Sequence, residues 1–158
     1  MADQIRPTIP ADIDPLVELT RQTGVFKPHE MQALAEVLVD YFAANRELEH
    51  RCVTYETAGQ ILGFAYYAPD AMTDRTWYLY WIAVSQKTQA KGIGSALLRF
   101  VEGDIRHLRG RQLLIETSSL PHYDLTRRFY LKHTYELAAS VPDYYADGDD
   151  MAIFRKRL

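Results

Sequence analysis

The stretch WIAVSQKTQAKGIGSALLRFVE, residues 81–102, joins a strand-like run to a helix-like run through a loop that holds two of the chain's eight glycines, Gly92 and Gly94. A helix N-terminus presents backbone N–H groups without intrahelical partners, and the aligned peptide dipoles favour an anion beside them. Glycine at such a joint removes the Cβ atom that would hold a bulky anion away. The segment Gln89, Ala90, Lys91, Gly92, Ile93, Gly94 and Ser95 therefore reads as a cradle for a pyrophosphate. One charge–dipole contact is worth only about 0.3–1 kcal/mol at an exposed site, so affinity needs several amides acting together.

A tight turn between strand and helix would also use glycine for geometry alone. A dinucleotide fingerprint, G-x-G-x-x-G/A, requires glycine or alanine where Leu97 stands, although Glu116 follows at a spacing that suits a ribose-binding acid. A Walker loop needs Gly-Lys-Ser/Thr, which this chain lacks.

Outward from the loop, TWYLYWIAV (76–84) is aromatic, β-branched and apolar on both faces, the signature of a central strand. RCVTYET and QILGFAYYA precede it as two strands turning at Ala58-Gly59, and QIRP opens the chain as a short strand stopped by prolines. Between them lie two helices. The first runs through DPLVELTRQ, capped by Asp12 or Asp14 with Pro15 in its first turn; the second, about 29–45, carries Met31, Leu34, Leu38 and Tyr41 at helical spacing. Past the glycine loop, Ile93, Leu97, Leu98, Val101, Ile105 and Leu108 share one helix face, ended by Gly110. QLLIET is then a strand, DLTRRFYLKH a short helix, and YELAASVP and MAIFRKR two last strands. The order β-α-α-β-β-β-α-β-α-β-β predicts an α/β (α+β) fold: one domain over 1–158 with a mixed, mostly antiparallel sheet flanked by about four helices.

The totals narrow the function. A chain of 158 residues suits one domain with a real core, and its net charge of −3 lacks the basic footprint of a nucleic-acid binder. One cysteine excludes an internal disulfide or a thiolate cluster, and the five histidines show no ligand-like spacing, so no metal is expected. Without a signal pattern or a long apolar run, a cytoplasmic protein that does not enter a membrane is expected. A homodimer is compatible with the sequence, symmetric dimers being the commonest assemblies.

Q-x-x-G-x-G after the strand WIAV and before an apolar helix resembles the coenzyme A loop of the GNAT superfamily of acetyl-CoA-dependent N-acetyltransferases, and FYLKHTYE resembles that family's late F-Y-x-x-x-G-F/Y pattern. The order of elements fits the same family along nearly the whole chain. The resemblance implies acetyl-CoA as co-substrate, its pyrophosphate on the glycine loop and its pantetheine amides paired with the strand backbone at Ile82, Ala83 and Val84, in the manner of an added strand. The family's late motif places Asn and Ala where this chain has Tyr123 and Thr126, so those two positions, expected beside the pantetheine arm, would make a different contact. Thr134 replaces the glycine before the final aromatic residue.

Acetyl transfer to an amine poses two proton problems. An alkylamine of pKa about 10.4 is neutral in only about 1 molecule in 2,500 at pH 7, a penalty of about 4.6 kcal/mol that a base must reduce. The departing thiolate needs a donor. By resemblance the donor is Tyr130, the tyrosine of the F-Y pair; a tyrosine simply packed on the sheet is the other reading. Glu116, ending the apolar run LLIE, would be costly to bury unpaired and so should face a wet cleft. It is either the base, acting through water as in family members that acetylate N-terminal alanine, or one half of an ion pair with Arg127 or Arg128. The resemblance draws the acceptor pocket from Val25-Phe26, from Tyr80 and Trp81, and from PDYYADGDD with Tyr144 and Tyr145. Strand alternation allows only one of Tyr80 and Trp81 to face a given pocket. Asp147, Asp149 and Asp150 could draw in a cationic amine or merely form a solvated turn. The expected acceptor is a small-molecule primary amine; a protein N-terminus, or a CoA-binding domain without catalysis, are the alternatives.

Overall fold

The computed structural model describes residues 3–158, apart from the side chains of Gln89 and Ala90. Its elements are β1 (Gln4–Pro7), α1 (Ile13–Gln22), α2 (Pro28–Ala43), β2 (Arg51–Thr57), β3 (Gln60–Pro69), β4 (Thr76–Val84), α3 (Ile93–His107), β5 (Gln112–Ser118), α4 (Asp124–Lys132), β6 (Glu136–Ala146) and β7 (Asp149–Arg157). They follow the order read from the sequence. Among the described residues the strands form one seven-stranded sheet, β1-β2-β3-β4-β5-β7-β6, in which only the β4–β5 pair is parallel. The chain is a single α/β domain.

The pleat divides the core. Val53, Tyr55, Ala65 and Tyr67 point to the face covered by α3, where Leu97, Leu98, Val101 and Ile105 are fully buried. Their sequence neighbours Cys52, Phe64 and Tyr66 point to the opposite face, against Leu16 and Leu19 of α1 and Met31, Leu34 and Leu38 of α2. The β2–β3 hairpin turns at Ala58 and Gly59, both with positive φ, as a twisted two-residue turn requires. Gly63 permits the close seat of α3, because a Cβ there would stand 2.9 Å from the carbonyl oxygen of Ala83 and 3.1 Å from Leu97.

Two local expectations are corrected. Asp12 precedes α1 but does not cap it through its side chain; its carboxylate instead accepts Arg6 Nη1 at 2.7 Å and the Ile9 amide at 2.9 Å. β6 does not stop at Pro142 but continues to Ala146, with register shifts between Leu137 and Ala139 and between Val141 and Ala146. An edge strand tolerates proline because no neighbour awaits its missing N–H. Among the described residues, no helix is long and apolar enough to cross a membrane.

Candidate active site

β4 and β5 run side by side only from Thr76–Gln112 to Tyr78–Leu114. Beyond that point β4 stays with β3 as far as Val84, and β5 stays with β7 as far as Ser118, so the sheet opens into a wedge at its centre. The wedge is the mouth of a cleft of about 830 Å³. Residues from α1–α2, β4, the start of α3, β5, α4 and the β6–β7 hairpin line it.

One end of the cleft is the N-terminus of α3. Gly92 is its cap residue, at φ +75° with open space where a Cβ would point, and as a glycine it offers the helix no side-chain cap. The left-handed conformation explains why glycine stands there. Gly92, Gly94 and Ser95 line the cleft, together with Ile82, Ala83 and Val84 of β4. The Ser95 hydroxyl and His133 Nε2 share a hydrogen bond of 2.8 Å, which ties the first turn of α3 to the end of α4. Ile93 instead faces the core, and Lys91 is exposed outside the cleft lining. The side chains of Gln89 and Ala90 lie outside the described residues.

Tyr130 and Glu116 both line the cleft. Tyr130 is 3% exposed, its ring clamped by Tyr135 at 5.9 Å and Phe154 at 5.7 Å. Among the described residues its hydroxyl has no hydrogen-bond partner, and burial raises its pKa, so the phenol stays protonated at neutral pH. Glu116 is exposed towards the cleft, yet the surrounding walls exclude enough water to raise its carboxyl above the ordinary value. Neither arginine weighed as its partner reaches it. Arg127 donates to the carbonyl oxygens of Ser118 (2.7 Å) and Leu120 (3.0 Å), and Arg128 pairs with Asp124.

The other end is aromatic and acidic. Tyr78 and Tyr80 stack at 5.6 Å with 21° between their planes. Trp81 also lines the cleft, so the expectation that only one of Tyr80 and Trp81 could do so is overturned. Tyr66 pairs with Trp81 and Tyr67 with Leu79, leaving Tyr80 as an extra residue in β4. This bulge flips the alternation: Trp77 and Leu79 pack on the α3 side, while Trp81 packs on the α1–α2 side. Phe26 reaches across the mouth to Trp81 (5.3 Å) and to Tyr123 (6.5 Å). Tyr123 and Thr126 line the cleft, and Tyr123 has Glu30 and Asp149 as electrostatic neighbours; burial and these charges push its pKa up to about 12. Tyr145 also lines the cleft, its pKa pushed up to about 12 by burial first and then by Glu116. Tyr144 is exposed and does not line it. Of the three late aspartates only Asp149 belongs to the lining.

Sequence reasoning did not single out Tyr78 or Glu30. Tyr78 shares the parity of Tyr80 and was legible by alternation. Glu30, in the first turn of α2, reads locally as a helix-start residue, and only the packing of α2 beside β4 brings it to the cleft.

Known proteins show the same architecture. A family model described as an acetyltransferase (GNAT) domain matches residues 48–137, more than half of the chain. A crystal structure of a GNAT-family protein from Desulfovibrio desulfuricans superposes with a TM-score of 0.94 at 32% identity, covering 99% of each chain. The yncA protein of Salmonella typhimurium, solved with its cofactor acetyl-CoA, gives 0.81 at 17% identity, with 100% of this chain and 95% of that one covered. The ribosomal-protein-S18-alanine N-acetyltransferase of Escherichia coli gives 0.78 at 18%, covering 99% and 94%. At those lower identities the likeness is one of fold. No curated protein sequence matches the chain.

Proposed function

This chain belongs to the GNAT family of acetyltransferases, and from that membership we propose that it transfers an acetyl group from acetyl-CoA to the nitrogen of a small-molecule primary amine. The observation that carries the proposal is the wedge between β4 and β5, with the glycine-led start of α3 at one end and Glu116 and Tyr130 on its wall. The residues fit acetyl-CoA. The backbone amides of the α3 first turn suit a pyrophosphate, the β4 backbone at Ile82, Ala83 and Val84 suits the pantetheine amides, and the Tyr130 hydroxyl, with no partner among the described residues, has a donor role left to fill. When bound, acetyl-CoA supplies a thioester whose carbonyl accepts a nucleophile and whose sulfur leaves.

Glu116 takes the proton of the incoming ammonium, directly or through water, and so reduces the penalty of about 4.6 kcal/mol set by the amine pKa. Tyr130 donates its proton to the departing sulfur. Its clamped ring keeps the hydroxyl in place without any rearrangement at the moment of transfer. Cys52 is 1% exposed and buried between β2 and the first two helices, and burial pushes its thiol up to about 12, which makes it a poor nucleophile for an acyl-enzyme. This supports direct attack within a ternary complex over a cysteine acyl-enzyme.

Tyr130→Phe is the test. With thiol release as the readout, kcat is expected to fall about 100-fold while KM for acetyl-CoA changes little. Because the hydroxyl has no partner to lose, the melting temperature should stay within a degree or two. Undiminished kcat in this variant removes the acid assignment, and binding of acetyl-CoA with no turnover of any amine removes the enzyme reading.

A further inference from the structure

Ser95 lines the cleft in the first turn of α3, and its hydroxyl is already engaged. The partner is His133 Nε2, 2.8 Å away in the residue that follows α4. A hydroxyl has one proton to give, and an imidazole nitrogen either carries a proton or offers a lone pair. The pair therefore has two polarities. With Nε2 bare, Ser95 donates to the ring and can show the cleft only lone pairs. With Nε2 protonated, the ring donates to Ser95 Oγ, and the hydroxyl proton is free to turn into the cleft. An ionised pyrophosphate accepts and does not donate, so it is repelled by the first arrangement and gains a charge-assisted hydrogen bond from the second.

The imidazole sits on a fixed frame. Its ring packs on Phe129, one turn earlier in α4, with centroids 4.7 Å apart. Phe129 in turn lies against the start of α3, since a Cβ on Gly94 would stand 3.5 Å from its Cζ. The His133 carbonyl oxygen accepts Lys156 Nζ at 3.1 Å, and that lysine is paired at 2.8 Å with the buried Glu102. Burial pushes the imidazole below its ordinary pKa. Glu102 of α3 opposes that shift, while Arg99 of α3, Lys156 of β7 and Lys132 of α4 add to it. At pH 8 the ring is therefore neutral, and the choice of polarity is a choice between its two tautomers.

Resting on the reading of the cleft as an acetyl-CoA site, we propose that His133 is a positioning residue of the cofactor cradle, holding Nε2–H against Ser95 Oγ so that the serine proton turns towards the pyrophosphate. His133 acts through Ser95 and needs no contact of its own with the cofactor. Binding draws the ring to the Nε2–H tautomer, whichever tautomer the free protein prefers.

Coenzyme A is the probe, titrated by calorimetry at pH 8 into the full chain and its variants. His133→Phe should raise the dissociation constant about tenfold, the loss of one charge-assisted hydrogen bond. His133→Gln, whose side-chain amide can donate from the place of Nε2, should bind within about threefold of the parent. In a Ser95→Ala background His133→Phe should cost less than about twofold more, because the group it acts through is gone. Alanine is a strong helix former, so the Ser95→Ala chain keeps its fold. Long-range proton–nitrogen NMR of the parent should show His133 Nε2 protonated in the coenzyme A complex, a signature that a merely structural contact does not demand and that needs no variant to fold. Unchanged affinity in His133→Phe, an equal loss in His133→Gln, a full penalty persisting beside Ser95→Ala, or a bare Nε2 in the complex each overturn the proposal and leave the cofactor reading standing. A parent chain that does not bind coenzyme A overturns that reading, and this proposal with it.

Discussion

Tyr130 and Glu116 are both pushed towards their protonated forms by burial, yet the consequences differ. For a phenol the shift moves ionisation farther from neutrality and secures a donor. For a carboxyl it moves ionisation closer to the working pH and improves a base. The sign is testable. Activity that needs ionised Glu116 falls as pH drops through its raised pKa, so the acid limb of kcat/KM should lie above the ordinary carboxylate value of about 4.3. In Glu116→Gln that limb should vanish and the plateau fall about 100-fold. A carboxyl with a raised folded pKa weakens the fold as pH climbs through that value. The glutamine variant should therefore be no less stable than the parent at pH 7, which separates a catalytic loss from a structural one.

Among elements, the start of α3 and the bulge in β4 carry the most consequence. Gly92 holds a left-handed conformation that side chains adopt reluctantly, and a β-branched residue there costs about 1–3 kcal/mol in strain. Gly92→Val should relieve that strain by shifting the first turn, misaligning the amides of Ile93, Gly94 and Ser95. The expected result is a dissociation constant for acetyl-CoA raised about tenfold or more by calorimetry. Gly92→Val binding as tightly as the parent would show that the loop geometry does not matter to the cofactor. The bulge at Tyr80 serves the other end of the cleft. By inserting one residue it turns Trp81 towards Phe26 while Tyr78 and Tyr80 keep a common stack, so three aromatic rings of one strand reach a single cleft.

For the whole molecule, the central fact is that one sheet parts between its only parallel neighbours. β4 and β5 belong to the two halves of the fold, and past Tyr78 β4 stays paired with β3 while β5 stays paired with β7. A ligand in the wedge touches both halves and should stabilise the whole domain. At 100 times its dissociation constant, acetyl-CoA should add about 2.7 kcal/mol, raising the melting temperature by about 5–10 °C for a chain of this size. A nicotinamide dinucleotide at the same concentration should leave it unchanged. The reverse pattern would assign the glycine loop to another cofactor.

Local chemistry was enough to read the elements and their order, because periodicity, β-branching and glycine placement act over a few residues. The glycine loop, the strand end and the family resemblance also singled out Gly92, Gly94, Glu116 and Tyr130, and all four line the one cleft. Local reading failed where the partner lies far along the chain. Asp12 resembled a helix cap until Arg6 and Ile9 claimed it. Trp81 resembled the wrong face until the register opposite Tyr66 and Tyr67 required a bulge. Glu30 and Asp149 are 119 positions apart, and only the packing of α2 and of the β6–β7 hairpin around the parted sheet brings them into one cleft. Secondary structure answers to neighbours in sequence, whereas the charge of a cleft answers to neighbours in space.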